Sequence, residues 1–164
     1  MTDRRPTGDH GAVMTADRVL VSAAVAFVAA AAFGSAVAMR QDIPGEPFGV
    51  GVPLSVPSGL LVGWGAGVAA PWPMPAAAVV AAAMTRRAEA SAVPGVVAAG
   101  LGIGCILGTL VEPVTYHRRG WTPDTRAAIA VNFFASAALA GAGVRQMTRS
   151  RPHRRLTAGF AGSR

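Results

Sequence analysis

The amino-acid sequence predicts an all-α, polytopic integral membrane protein: four transmembrane helices in a small bundle, the second broken or kinked by prolines. Three observations predict it. Four long apolar Ala/Gly-rich stretches, roughly 19–39, 58–84, 92–111 and 126–144, are separated by short arginine-bearing segments. Charged residues make up 14% of the chain and hydrophobic ones 52%, whereas soluble domains carry about 25% charged residues. The arginines are placed asymmetrically about those stretches, as positive-inside topology requires. The 164 residues allow one domain at most. The expected division is a disordered tail over 1–17, a transmembrane domain over 18–147 and an arginine-rich tail over 148–164, with no room for a sizeable soluble catalytic domain.

The first stretch begins at Val19 and reaches Met39, 21 residues, or roughly 30 Å of helix, one hydrocarbon thickness. Its Ala36-Val37-Ala38 also resembles a signal-peptidase site. Ala-rich helices contain that pattern by chance, however, and the apolar run is long for a signal, so a retained helix is favoured. Residues 40–57 contain Pro44, Pro47, Pro53 and Pro57. Each proline removes a donor and restricts its predecessor, which predicts an extended connection.

The second stretch is interrupted at Pro71-Trp72-Pro73-Met74-Pro75. The pieces 58–70 and 76–84 come to about 20 and 14 Å, too short to span singly. They can make one broken crossing, a re-entrant hairpin, or a span ending near Trp72 followed by an interfacial helix. Charge separates these geometries. With four crossings and both termini inside, Arg4, Arg5, Arg18, Arg86, Arg87 and all six C-terminal arginines from Arg145 lie inside, eleven against the four outside at Arg40, Arg118, Arg119 and Arg126. A hairpin leaves six inside against nine, contrary to the positive-inside rule. Four crossings are therefore expected, in a bacterial-type cytoplasmic (inner) cell membrane with cytoplasmic termini.

The third stretch opens with Ser91 as cap candidate and Pro94 in its first turn, and stops at Glu112-Pro113. The fourth opens with Thr122-Pro123-Asp124-Thr125, the clearest helix start in the chain: a cap, a proline at the first helical position and an acid in the first turn. The short connection between the two makes them antiparallel neighbours.

Gly100, Gly104 and Gly108 recur every fourth residue and share a helical face. Small residues let helix backbones approach in lipid, so this face is expected to pack within the bundle, with Gly63 and Gly67 as a matching face; another membrane protein or a second copy is the alternative partner. Glu112 ends an apolar span and is followed by Tyr116 and His117. Acids at membrane depth are functional candidates, for proton transfer, headgroup contact or acid–base work with His117. The plainer expectation is an interfacial carboxylate, reaching water and pairing with Arg118, Arg119 or Arg126. Asn132 is the strongly polar side chain inside the fourth span, and an interhelical hydrogen bond is expected of it. If Glu112 and Asn132 face one cavity, they make a minimal polar site near the outer leaflet.

Every basic residue is arginine, the net charge is +7 and the isoelectric point is about 11.6. Because the arginines flank apolar spans, anionic headgroups rather than nucleic acid are the expected partner of the tail. Cys105 stands alone and the histidines are dispersed, so neither a metal nor a cofactor is expected. The leading functional expectation is a non-enzymatic membrane bundle or accessory subunit. A small transporter or channel using the broken span with Glu112 and Asn132 is the alternative, and a lipid-modifying enzyme the third. A polar cavity joining the proline break to Glu112 and Asn132 would distinguish transport; a closed apolar interior would distinguish the accessory bundle.

Overall fold

A computed structural model describes residues 10–85, 91–116 and 121–150. They form five helices: α1 (His10–Gln41), α2 (Val56–Val62), α3 (Pro73–Met84), α4 (Val93–Val111) and α5 (Pro123–Arg149). Single 3₁₀ turns lie at Pro47–Gly49 and Pro113–Thr115, and no β-strand occurs among the described residues. Three helices are long and apolar enough to cross a membrane: Arg18–Gln41 within α1, then α4 and α5. The second apolar stretch divides instead into α2 and α3, of 7 and 12 residues. At 1.5 Å per residue these are about 10 and 18 Å long, so neither is a span by itself.

Local chemistry explains the boundaries. Thr122 Oγ1 accepts from Thr125 N at 3.1 Å, Pro123 occupies the first turn, and Asp124 complements the positive end of the helix. Gln41, at the end of α1, ties into this cap: its Nε2 donates to Thr122 Oγ1 at 2.9 Å and its Oε1 accepts from Thr125 Oγ1 at 2.8 Å. At α4, Ser91 Oγ accepts from Val93 N at 3.3 Å, and Glu112 turns to extended backbone at the far end. The described helices overrun the apolar stretches. Helix α1 begins at His10, within the segment read from sequence as tail, and α5 continues to Arg149. No proline or β-branched run stops either extension.

Large apolar side chains such as Val25, Val96, Ile103, Leu107 and Phe134 point outward. The interior is mostly alanine around a few large side chains: Leu20, Ala24 and Phe27 of α1 cluster with Ala78 of α3, Ala98 of α4, and Leu139 and Ala142 of α5. Helices that are apolar outside and small-residue inside suit lipid, where close packing rather than water exclusion drives association.

The glycines that allow this packing are not those expected. A Cβ at Gly102 would overlap Ser136 O and lie 2.6 Å from Ala140 N of α5. One at Gly95 would lie 2.7 Å from Gly143 O, and one at Gly143 would strike Ala99 N. Helices α4 and α5 thus meet backbone to backbone through Gly95, Gly102 and Gly143. Gly100 and Gly108 have no described neighbour within 4 Å on that side, and Gly104 meets only Met74, at 3.5 Å. The face of Gly100, Gly104 and Gly108 is the outward side of α4, two residues and so some 200° away from Gly102. Its expected counterpart is not a helix face either. Gly63 ends α2 with φ 96°, a left-handed cap that suits glycine, and Gly67 packs against Ile43, Pro44 and Val114.

Between α2 and α3 the chain makes a compact turn. Ala66 and Ala69 exchange backbone hydrogen bonds, Gly65 N donates to Gly59 O at 3.0 Å, Gly67 N to Pro44 O at 3.1 Å, and Trp72 N to Leu60 O at 2.9 Å. Ala66, Val68 and Ala69 are buried with Val37 and Ala38 of α1 and Ala128 of α5. Protein buries this turn and it lines a cavity, the two settings in which membrane proteins tolerate irregular backbone.

Candidate functional site

Asn132 is 6% exposed and sits where α1, α5 and the broken segment converge. Its Nδ2 lies 3.2 Å from Ala30 O, 3.0 Å from Val68 O and 3.0 Å from Ala128 O. The expected interhelical bond is therefore present, and it also fastens the turn to the bundle. A small residue at position 34 makes this approach possible: a Cβ there would lie 2.5 Å from both Asn132 Nδ2 and Val68 O. The three carbonyls fix the nitrogen's side of the amide. Oδ1 is left buried without a hydrogen-bond partner, and orphaned acceptors of this kind are uncommon.

Beside this amide is a cavity of about 100 Å³. Its walls are the segment from Trp64 to Pro71 with Met74, the α4 residues Gly104, Cys105, Gly108 and Thr109, the carboxylate-bearing Glu112, and Ile129, Asn132 and Ser136 of α5. Trp64, Gly104 and Gly108 are exposed, so the cavity opens on the α4 face. The repeated glycines thus do something the sequence did not suggest: lacking side chains, Gly104 and Gly108 leave the space open. Cys105 Sγ touches Met74 Sδ, at 3.5 Å, in its wall.

Glu112 is 8% exposed, so the expected water-reaching interfacial carboxylate is not what forms. The 3₁₀ turn after α4 and the loop after α1 enclose it, and its Oε2 accepts from Glu46 N at 3.0 Å. Among the described residues Arg126 makes no ion pair with it; Arg118, Arg119 and His117 lie outside the described residues. Burial raises the Glu112 carboxyl above its ordinary value of 4.5; the Glu46 N–H opposes that shift and the Glu46 carboxylate adds to it. The folded protein therefore holds a proton that the unfolded chain has already released. This contribution to stability is fully present below pH 4.5 and is lost as pH rises through the folded-state pKa. The melting temperature in detergent is expected to decline over that window, and Glu112→Gln to flatten the decline. A wild-type curve that is flat from pH 4.5 to neutrality would contradict a buried, proton-holding carboxyl.

The structure brings Glu112 and Asn132 to one cavity and leaves Tyr116 out of it. Tyr116 is 63% exposed and its hydroxyl donates to Leu110 O at 2.6 Å. Tyr116 is therefore not placed beside Glu112, and His117, the acid–base partner expected from sequence, lies outside the described residues. Pro71 lines the cavity, while Pro73 and Pro75 form the first turn of α3. Sequence reasoning missed Thr109, Cys105 and Ser136 as wall residues; small polar residues on two adjacent apolar helices carry no distinctive spacing. It also missed Glu46, whose part depends on a contact 66 residues away. No protein-family model, curated protein or solved structure matches the chain.

Proposed function

We propose that this is a small multi-pass membrane protein that admits a small polar solute to the cavity between the broken second stretch, α4 and α5, as a transporter or channel would. One observation carries the reading: Glu112, Asn132 and the non-helical turn after α2 line one cavity. Discontinuous helices whose unwound backbone meets polar groups at depth are how many transporters build solute sites. A non-enzymatic accessory bundle, the leading expectation from sequence, needs no such convergence and gives no role to an orphaned Asn132 Oδ1.

In this reading α2, the turn and α3 together complete a fourth, broken crossing, with both termini cytoplasmic in the inner membrane. Helix α1 is a retained span, because its Phe27, Val37 and Ala38 are wholly buried in the bundle. The outward Gly100, Gly104 and Gly108 face is open to a second copy or another membrane protein, and the arginine-rich C-terminal segment is assigned to anionic headgroups.

The test is reconstitution of the full-length protein into liposomes, with solute entry followed by light scattering after an osmotic step. Protein-containing vesicles are expected to admit small polar solutes faster than empty ones, and Asn132→Leu to abolish the difference. Entry rates equal to those of empty vesicles across cationic, neutral and anionic probes would sink the reading. For topology, cysteines placed at Arg86 and Arg154 are expected to resist external labelling.

A further inference from the structure

The hydrogen-bonding character of the cavity wall specifies the kind of solute, and this step rests on the cavity reading above. Several donors along the wall are spent. Trp64 Nε1 donates to Gly45 O at 2.8 Å, and the Thr109 hydroxyl to Cys105 O at 2.9 Å. Asn132 Nδ2 is committed to carbonyls. In the turn, the N–H groups of Gly65, Ala66, Gly67 and Ala69 are bonded to backbone oxygens. The proline run removes still more. Pro71, Pro73 and Pro75 have no N–H, and the intervening Trp72 and Met74 donate to Leu60 O and Pro71 O. The start of α3, ordinarily an anion-attracting array of free donors, is thus stripped of them where it borders the cavity.

Acceptors remain. Asn132 Oδ1 is buried without a partner, Thr109 Oγ1 keeps its lone pairs while its O–H donates elsewhere, and Glu112 supplies the one carboxyl among the described wall residues. Among the described residues no arginine or histidine lines the space, although the chain carries a net charge of +7. Helix α4 ends here, at Gly108, Thr109 and Glu112, so the negative end of its dipole faces the same volume. The remaining walls, including Met74, Val68 and Ile129, are apolar. Such a site offers too few oxygens to replace the six or more that hard metal cations take. It suits an ion that donates a few directional hydrogen bonds and presents a small apolar remainder.

We infer that the cavity takes a small ammonium-type cation, ammonium itself or a short primary ammonium such as methylammonium, held between Asn132 Oδ1 and the Glu112 carboxylate. A volume of about 100 Å³ admits an ion of that size.

The experiment is thermal unfolding and calorimetric titration of the full-length protein in nanodiscs. Probes are methylammonium chloride, sodium chloride and urea, at matched ionic strength and at a pH where Glu112 is ionised. Methylammonium is expected to bind saturably, whereas sodium and urea do not. Glu112→Gln keeps an acceptor for Glu46 N but removes the charge; it is expected to weaken methylammonium binding about tenfold or more, as loss of a charge-assisted hydrogen bond does. Asn132→Leu, which removes the orphaned acceptor, is expected to lose binding. Saturable binding of urea in preference to methylammonium would overturn the cation assignment while leaving the cavity reading standing. Unaltered methylammonium affinity in Glu112→Gln would overturn it equally. Binding of none of the probes, together with no solute entry into liposomes, would remove both.

Discussion

Gly102→Val is expected to prevent α4 and α5 from seating, whereas Gly100→Val, two residues away, leaves the fold intact. The first substitution drives a Cβ into Ser136 O and to 2.6 Å from Ala140 N, both of them backbone atoms that cannot swing aside. Relief requires moving one helix off the other, which separates Gly95 from Gly143 and its neighbour Met147. Overpacking costs about 1–3 kcal/mol where side chains can adjust; rigid backbone neighbours place this case at about 3 kcal/mol or beyond. At Gly100 an added side chain meets no described atom within 4 Å, so its effect stays close to the intrinsic helix preference, below about 1 kcal/mol. Size-exclusion profiles and melting curves in detergent read the contrast. Comparable losses in the two variants would mean that α4 packs through the other face.

Phe27→Ala is the second large effect, expected to cost about 3 kcal/mol. Phe27 is 0% exposed and is the largest fully buried side chain among the described residues. It belongs to one buried cluster with Ala78 and Ala82 of α3, Ala98 and Cys105 of α4, and Leu139 and Ala142 of α5. Alanine and cysteine neighbours are too short to fill the space a lost ring leaves. Soluble cores lose about 3–5 kcal/mol for such truncations; the lower figure applies here because lipid-embedded packing rests on dispersion more than on water exclusion. The expected result is a lower melting temperature with an unchanged helical signal below the transition. The same residue bears on the Ala36-Val37-Ala38 pattern. A leader removed there would take Phe27, Leu20 and Val37 out of the interior, so the mature protein is expected to keep α1, as its intact mass would report. A Phe27→Ala variant as stable as wild type would show that α1 is not part of the packed core.

Residue type and spacing suffice for the membrane class, for three of the long helices, and for the start of α5 at Thr122-Pro123. These are decided within a few residues of chain, by apolar length, the missing proline N–H and a cap hydroxyl, and they need no partner. That the second stretch is not one continuous helix was legible, but not where it stops: α2 ends at Gly63, and Pro73 and Pro75 fall in the first turn of α3. Asn132 was legible as a buried polar group because an amide in an apolar helix must find acceptors, whatever they turn out to be.

Other features depend on which surfaces meet. A repeat of glycines shows that α4 has small faces but not which one is used; Gly95 and Gly102 are chosen by the position of Gly143 on α5, and the more regular stripe of Gly100, Gly104 and Gly108 faces outward. Glu112 read as a carboxylate at a helix end with access to water. The loop carrying Glu46 encloses it, through a contact that no local pattern encodes. The joining of Glu112, Asn132 and the broken segment around one cavity is likewise tertiary. Lipid selects for apolar length along each helix, and a sequence shows that directly. The rotation of one small-residue helix against another is selected by atomic fit, and that is written only in the pair.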